Sequence, residues 1–206
     1  MNLNNLLPFI QSRRTCYQFL EKTESPVHLK SIQMCLNAAI YAPNHKLTQP
    51  WRFWLAGEDT QRQLAHIYAD NRALKKTQTL TKELLSKSEM DYDRFYQKAF
   101  DKFMTIPSVI LVGQYLSMNK VVYKEDYAAC ACAIQNFQLM AWSLDIGVQW
   151  STGPIISDQR TYDVLNIEKE SFELIGALYL GHIDEGCLPN KELKRKSINE
   201  VTTFLN

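Results

Sequence analysis

The sequence predicts an α+β domain in which helices pack on a small central sheet. Three observations carry this. Strand-like runs are few and far apart: residues 51–56 (WRFWLA), 108–113 (SVILVG) and 172–180 (FELIGALYL). Helical apolar spacing fills most of the chain between them. Helix and strand do not alternate cleanly, and no GxGxxG follows a strand, which argues against a doubly wound dinucleotide-binding sheet.

The elements follow in order. Leu3, Leu6, Leu7 and Ile10 recur at helical spacing, so the chain opens with a short amphipathic helix that runs into the basic pair Arg13-Arg14. Pro26 precedes a second helix with Leu29, Ile32, Leu36, Ala39 and Ile40 on one face. Ala42-Pro43-Asn44 stops it, because Pro disfavours helix in the residue before it. Residues 51–56 read as a buried strand. Residues 58–102 are polar and helix-prone. Their last part is dense in charge, and Tyr92, Phe95, Tyr96, Phe100 and Phe103 recur every three or four residues. This predicts one or two surface helices with a single apolar stripe. A strand over 108–113 follows Pro107. A long helix from about Glu125 to Leu144 is rich in Ala and Cys (AACACA), which allows close packing. Asp145-Ile146-Gly147 ends it, with Gly147 suited to a left-handed cap. Residues 148–153 lead through Pro154 into a small helix near 157–165, and the strand over 172–180 follows. The tail, about 189–206, is basic and then mildly apolar. No repeat, low-complexity tract or Gly/Ser linker breaks the chain. The expectation is one domain over 1–206, with a helical insert at about 77–103 and a C-terminal arm at about 189–206.

Bulk properties narrow the function. At 206 residues, 46% hydrophobic and 22% charged, the chain can bury a sizeable core and is not disordered. A net charge of +1 gives no basic excess for nucleic acid or a membrane surface. The five cysteines (Cys16, Cys35, Cys130, Cys132 and Cys187) form no CxxC pair and have no His at zinc-ligand spacing, which fits reduced thiols in the cytosol. Residues 1–10 lack the basic start and cleavage site of a signal peptide, and the apolar stretch 106–116 is too short to span a bilayer. The expected location is cytoplasmic.

Four clusters could carry chemistry. Arg13-Arg14-Thr15 offers two planar guanidiniums and a hydroxyl, a phosphate clamp; the alternative is a basic helix C-terminus complementing the dipole. Ala42-Pro43-Asn44-His45-Lys46, followed by Gln49-Pro50-Trp51, is a loop between prolines bearing Asn, His, Lys and Gln; the alternative is a solvated turn. Trp150-Ser151-Thr152-Gly153-Pro154 is a small hydroxyl-bearing loop able to turn backbone N–H groups toward a ligand; the alternative is a plain connection with Ser157 as N-cap. Glu125-Asp126 reads as a structural acidic start to the long helix. No cluster is a metal site or a nucleophile triad.

Taken together, these residues resemble the FMN-dependent nitroreductase family. Arg13-Arg14-Thr15 resembles its opening Arg-Arg-Ser. Residues 39–53, AIYAPNHKLTQPWRF, resemble its Ala-Pro to Gln-Pro-Trp segment, in the form found in a small NAD(P)H nitroreductase subgroup. Residues 126–153, from DYAACACAIQNFQLMAWSLDIG to QWSTG, resemble its long helix, Gly turn and ring-edge loop. Residues 175–181, IGALYLG, resemble its last core strand.

The resemblance implies a nitroreductase-like sandwich, an intertwined homodimer and FMN at the subunit interface. It implies that Arg13, Arg14 and Thr15 hold the phosphate and the nearby flavin edge. Tyr41 and His45 would contact FMN, His45 across the interface, and Gln49 would assist. Ser151, Thr152 and Gly153 would approach from the other side. NADH or NADPH would be the donor, and a nitroaromatic, quinone or enone the acceptor, in ping-pong turnover with no protein nucleophile. Two departures stand out. Tyr17 occupies a position where many members have Arg or Lys, and the basic tail residues Lys194, Arg195 and Lys196 do not align with the family's phosphate-binding end. Other readings are a different flavin reaction such as dehalogenation or flavin cleavage, a flavin-binding protein without turnover, and a helical interaction module using the aromatic stripe of 81–103.

Overall fold

Four runs rich in β-branched and aromatic residues pair into one antiparallel sheet. They are β1 (Trp51–Leu55), β2 (Ser108–Tyr115), β3 (Ile146–Ser151) and β4 (Phe172–His182), in the order β1-β2-β4-β3. The structure is a computed structural model and describes residues 5–78, 88–184, 186, 188 and 193–205. Leu3, Cys187 and part of the expected insert and arm lie outside the described residues.

The two central strands are buried on both faces, and their side chains alternate between two cores. Ile110, Val112, Leu178 and Leu180 meet α2 (Leu29–Ile40) and α5 (Lys120–Trp142). Val109, Leu111, Ala177 and Tyr179 meet the opposite layer of α3 (Glu58–Gln78), α4 (Ser88–Met104) and α6 (Gln159–Leu165). A bulge skips Ile175, since Val112 pairs with Gly176 and Gly113 with Leu174. It turns Ile175 to the first core and Leu174 to the second. The α+β expectation thus holds as a helix–sheet–helix sandwich. Two short helices, α1 (Leu6–Ser12) and α7 (Ile198–Val201), bracket it.

Small residues set how closely α5 approaches the sheet. Ala129, Cys130, Ala133, Ile134, Phe137 and Ala141 are buried along one face. Asn119 caps the helix, its Oδ1 accepting from the Val121 and Val122 amides at 2.9 and 3.3 Å. On the other layer, α4 turns its aromatic stripe onto α3. Tyr92, Tyr96 and Phe100 stack in series, Phe100 and Tyr96 lie against His66, and Phe103 is 1% exposed in the core. The stripe is therefore occupied within the chain, which removes the interaction-module reading.

Several local expectations are corrected. The strand at 51–55 is an edge strand and buries only Trp51, because no strand among the described residues pairs with its outer side. The long helix starts at Lys120, five residues before Glu125, so Glu125-Asp126 do not begin it. Gly147 is not a left-handed cap; Asp145 takes the positive φ of 55° and Gly147 lies in β3, which had read as a connection. Glycine is required at 147 for space, since a Cβ there would lie 2.6 Å from Cys16 Cβ and Sγ. Asp158, not Ser157, caps α6 through the Arg160 amide. Leu29 and Ile40 of α2 are exposed, and Cys35 takes a core position instead. Among the described residues none buries a side chain of α1, and Leu7 is 62% exposed. Among the described residues, no helix is long and apolar enough to cross a membrane.

Candidate functional site

The site grows from the edge of β3. Residues 13–16 run beside that strand: Thr15 forms a parallel bridge to Val148, and the Cys16 amide donates to the Val148 carbonyl at 3.3 Å. The missing side chain at Gly147 lets Cys16 come this close. One short segment thereby brings the arginines of the N-terminus and the loop after β3 to the same sheet edge.

Arg13 and Arg14 line a cleft of about 910 Å³ with Ile10, Gln11, Gln135, Leu193, Lys194 and Arg195. Four cations from the two ends of the chain thus surround one space. Arg13 is half-buried, and its Nη1 reaches Gln138 Oε1 of α5 at 3.5 Å. Burial, and then the neighbouring Arg195 and Arg14, pull its pKa down, while Cys16 opposes them. A guanidinium stays charged under such a shift, so the cluster is a concentrated positive field. Arg14 does a second job, its Nη1 donating to the Gln11, Ser12 and Arg13 carbonyls at 2.6, 3.0 and 3.2 Å. The helix C-terminus reading therefore describes what Arg14 does within the chain, while its guanidinium also lines the cationic cleft.

A second cleft, of about 670 Å³, holds Ser151 and Gly153. Its walls include Tyr17, Tyr68, Phe103, Gln149 and Tyr179, with Arg72 and Lys102 among the remaining lining residues. Gln149 and Ser151 share a strand face by period two. Trp150 points the other way and donates its indole N–H to the Ile175 carbonyl at 3.2 Å. Gly176 makes room for that ring: a Cβ there would sit 2.1 Å from Trp150 Nε1. Tyr179 is 5% exposed, and among the described residues its hydroxyl has no partner in hydrogen-bonding geometry. Burial pushes the phenol up, with the Ser151 hydroxyl pulling the other way. The aromatic walls suit a flat ligand, and the exposed Thr152 stands between the lining residues Ser151 and Gly153.

The third group stands apart. Tyr41, at the end of α2, is 84% exposed. His45 and Gln49 are exposed on the next loop and wall neither cleft. Within one chain, Arg13, Arg14, Thr15, Ser151 and Gly153 gather along one edge, while Tyr41, His45 and Gln49 do not join them. Sequence reasoning missed Gln138, Gln149 and Tyr179. Gln149 was available from its two-residue spacing to Ser151, whereas Gln138 and Tyr179 read as ordinary helix and strand positions.

The model described as "Nitroreductase family" matches residues 10–182. "Putative NAD(P)H nitroreductase YfhC" of Bacillus subtilis is 30% identical over 182 residues, covering 87% of this chain and 85% of its own length. A nitroreductase-like family protein from Bacillus cereus superposes with a TM-score of 0.73 at 24% identity, covering 97% of this chain and 95% of that one. An iodotyrosine deiodinase bound to FMN and 3-iodo-L-tyrosine superposes with a TM-score of 0.70 at 20% identity, covering 97% of this chain and all of its own. At those identities the two structures establish the shared fold.

Proposed function

The chain belongs to the nitroreductase family, and from that premise we propose that it binds FMN and acts as an NAD(P)H-dependent reductase. The observation that carries this is the ring of Arg13, Arg14, Lys194 and Arg195 around one cleft, joined along β3 to the Ser151–Gly153 loop. A phosphate monoester is the anion such a ring suits. The aromatic cleft beside it suits a planar ring. FMN carries both, and FMN is what the deiodinase of the same fold holds.

When bound, FMN supplies the redox chemistry, accepting hydride from NAD(P)H and releasing reducing equivalents to an acceptor of the nitroaromatic, quinone or enone type. In this reading Arg13, oriented by Gln138, and Arg14 neutralise the phosphate together with the tail cations. Thr15, pinned to β3, holds the approach of that segment. Ser151, Thr152 and Gly153 present hydroxyls and backbone N–H groups to the flavin edge. Tyr17, which lines the cleft, offers an aromatic face where many relatives place a cation. Donor and acceptor use the same space in turn, so double-reciprocal plots are expected to be parallel; intersecting lines would refute alternation.

We also propose a homodimer with FMN at its interface. Tyr41, His45 and Gln49 reach neither cleft of their own chain, and a second copy would bring them to one. The absorption spectrum of the purified protein tests the central reading. A flavin band that bleaches on anaerobic addition of NAD(P)H is expected. No band after soaking with FMN would overturn it.

A further inference from the structure

The loop after α2 is held in a conformation its side chains disfavour. Lys46, Leu47 and Gln49 have φ of 50°, 55° and 46°, so three of four consecutive residues lie in the left-handed region without being glycine. Such residues persist only where surrounding contacts over-determine them. Asn44 Oδ1 accepts from the Gln49 amide at 3.0 Å and closes the turn. Two side-chain bonds tie the loop to the body of the protein: Thr48 Oγ1 donates to Asp126 Oδ1 of α5 at 2.7 Å, and the longer one runs from Arg52 Nη1 of β1 to the Gln49 carbonyl at 3.4 Å. Asp126 is 5% exposed, and Thr48 is the hydrogen-bond partner of its carboxylate among the described residues.

Packing within the chain does not explain the arrangement. Leu47 is 75% exposed, and Lys46 and Gln49 are exposed as well. Glycine would adopt these angles without strain, yet side chains are kept at all three positions and turned outward. A buried carboxylate is committed to a loop whose residues face away from the core.

We propose that the Thr48–Asp126 hydrogen bond is a latch that holds residues 45–49 in a strained, ligand-ready form, making Thr48 and Asp126 positioning residues for the contacts of His45 and Gln49 with flavin. This rests on the flavin reading above. The latch organises the loop before ligand arrives, so binding does not have to order it.

The test uses Thr48→Val, which loses the donor, and Thr48→Ser, which keeps it. Amide hydrogen exchange at Thr48 and Gln49 is followed without added ligand. FMN affinity is then measured by flavin fluorescence, and the environment of the bound ring by visible circular dichroism. In Thr48→Val, loop protection is expected to fall and FMN affinity to drop about tenfold, the scale of one hydrogen bond to a charged group. Thr48→Ser should stay within about twofold of wild type on the same scale. Unchanged protection would overturn the latch. Lost protection with unchanged affinity and dichroism would overturn its role in positioning. Lys46→Gly keeps the question open to test if Thr48→Val folds poorly. Glycine takes the left-handed angle without strain, so Lys46→Gly should bind FMN within about twofold of wild type and should lessen the loss caused by Thr48→Val; an undiminished loss of about tenfold in the double variant refutes the strained latch. Failure of the wild type to bind FMN would instead sink the flavin reading, and the exchange data would still report on the latch alone.

Discussion

At the scale of single residues, charge and space decide outcomes. Arg13 is half-buried in the cationic cleft, its Nη1 reaches Gln138 Oε1 at 3.5 Å, and the proposed clamp rests on it. Arg13→Ala should weaken FMN binding by about 2 kcal/mol, roughly thirtyfold, as a charge-assisted contact is lost. Arg13→Lys should recover only part, because an ammonium cannot reproduce the planar fork. Titration of apo-protein with FMN checks both, and equal affinity in Arg13→Ala would remove the residue from the clamp. A different balance applies to Thr161, which is fully buried with its Oγ1 unpartnered among the described residues. Thr161→Val is nearly isosteric and deletes an unsatisfied group, so stability should be unchanged or higher by up to about 1 kcal/mol. A clear loss in chemical denaturation would mean that the hydroxyl has a partner after all. Gly147→Ala has the opposite sign. Its Cβ would meet Cys16 at 2.6 Å, and the expected penalty is about 1–3 kcal/mol, with residues 13–16 displaced from β3. The arginine pair and the Ser-Thr-Gly loop were legible in the sequence because their residue types are unusual for their places. The contact that brings them together was not, since Cys16 against Gly147 links positions distant in the chain and neither residue type announces it.

At the scale of elements, a polar network ties the outer helices together. Asp70 of α3 accepts from Tyr92 of α4 at 2.5 Å and from Arg160 of α6 at 2.6 Å. Arg160 also pairs with Asp158 at 2.7 Å, and Asn71 donates to Asp158 at 2.8 Å. Arg160 holds the Asp158 carboxyl down to about 2, and Tyr92, ahead of Arg160, holds Asp70 below its ordinary range. A carboxylate depressed on folding adds stability above its unfolded value, and that stability is lost as pH falls through the folded one. Stability should therefore decline between about pH 4 and pH 2. Arg160→Gln should flatten that decline, because the carboxylates lose the partner that lowers them. Thermal melts of both proteins across this range decide it, and parallel curves would exclude the network as the cause. Elements with strong periodicity, such as α2, β2 and β4, could be read directly from the sequence. The start of α5 could not, because Val121 and Val122 are β-branched and mask a helix that Asn119 caps. β3 was masked by Gly147, Gln149 and Ser151, which look like a turn until β4 supplies the pairing partner.

At the scale of the whole molecule, the exposed apolar tail bears on the proposed dimer. Residues 193–205 are exposed throughout, and Ile198, Val201, Phe204 and Leu205 are 72, 67, 76 and 90% exposed. Apolar side chains gathered on one segment suit a partner surface, which in the proposed dimer is the second copy. The same segment carries Lys194 and Arg195 into the cleft of Arg13, so the arm would serve cofactor and assembly together. Sequence periodicity could not separate these roles, because it describes a face without saying which chain covers it. Ending the chain at residue 192 should then remove two of the four clamp cations and the apolar arm at once. Sedimentation is expected to shift toward the monomer mass, and FMN affinity to fall by more than in Arg13→Ala alone. The double variant Lys194→Gln, Arg195→Gln separates the two effects: it should weaken FMN while leaving the dimer intact. If the truncated chain stays dimeric and only FMN is lost, the arm belongs to the clamp and the interface lies on α1 and the loop after α2. If the chain is monomeric at full length, the proposed dimer fails, and Tyr41, His45 and Gln49 lose the route by which they would reach a cofactor.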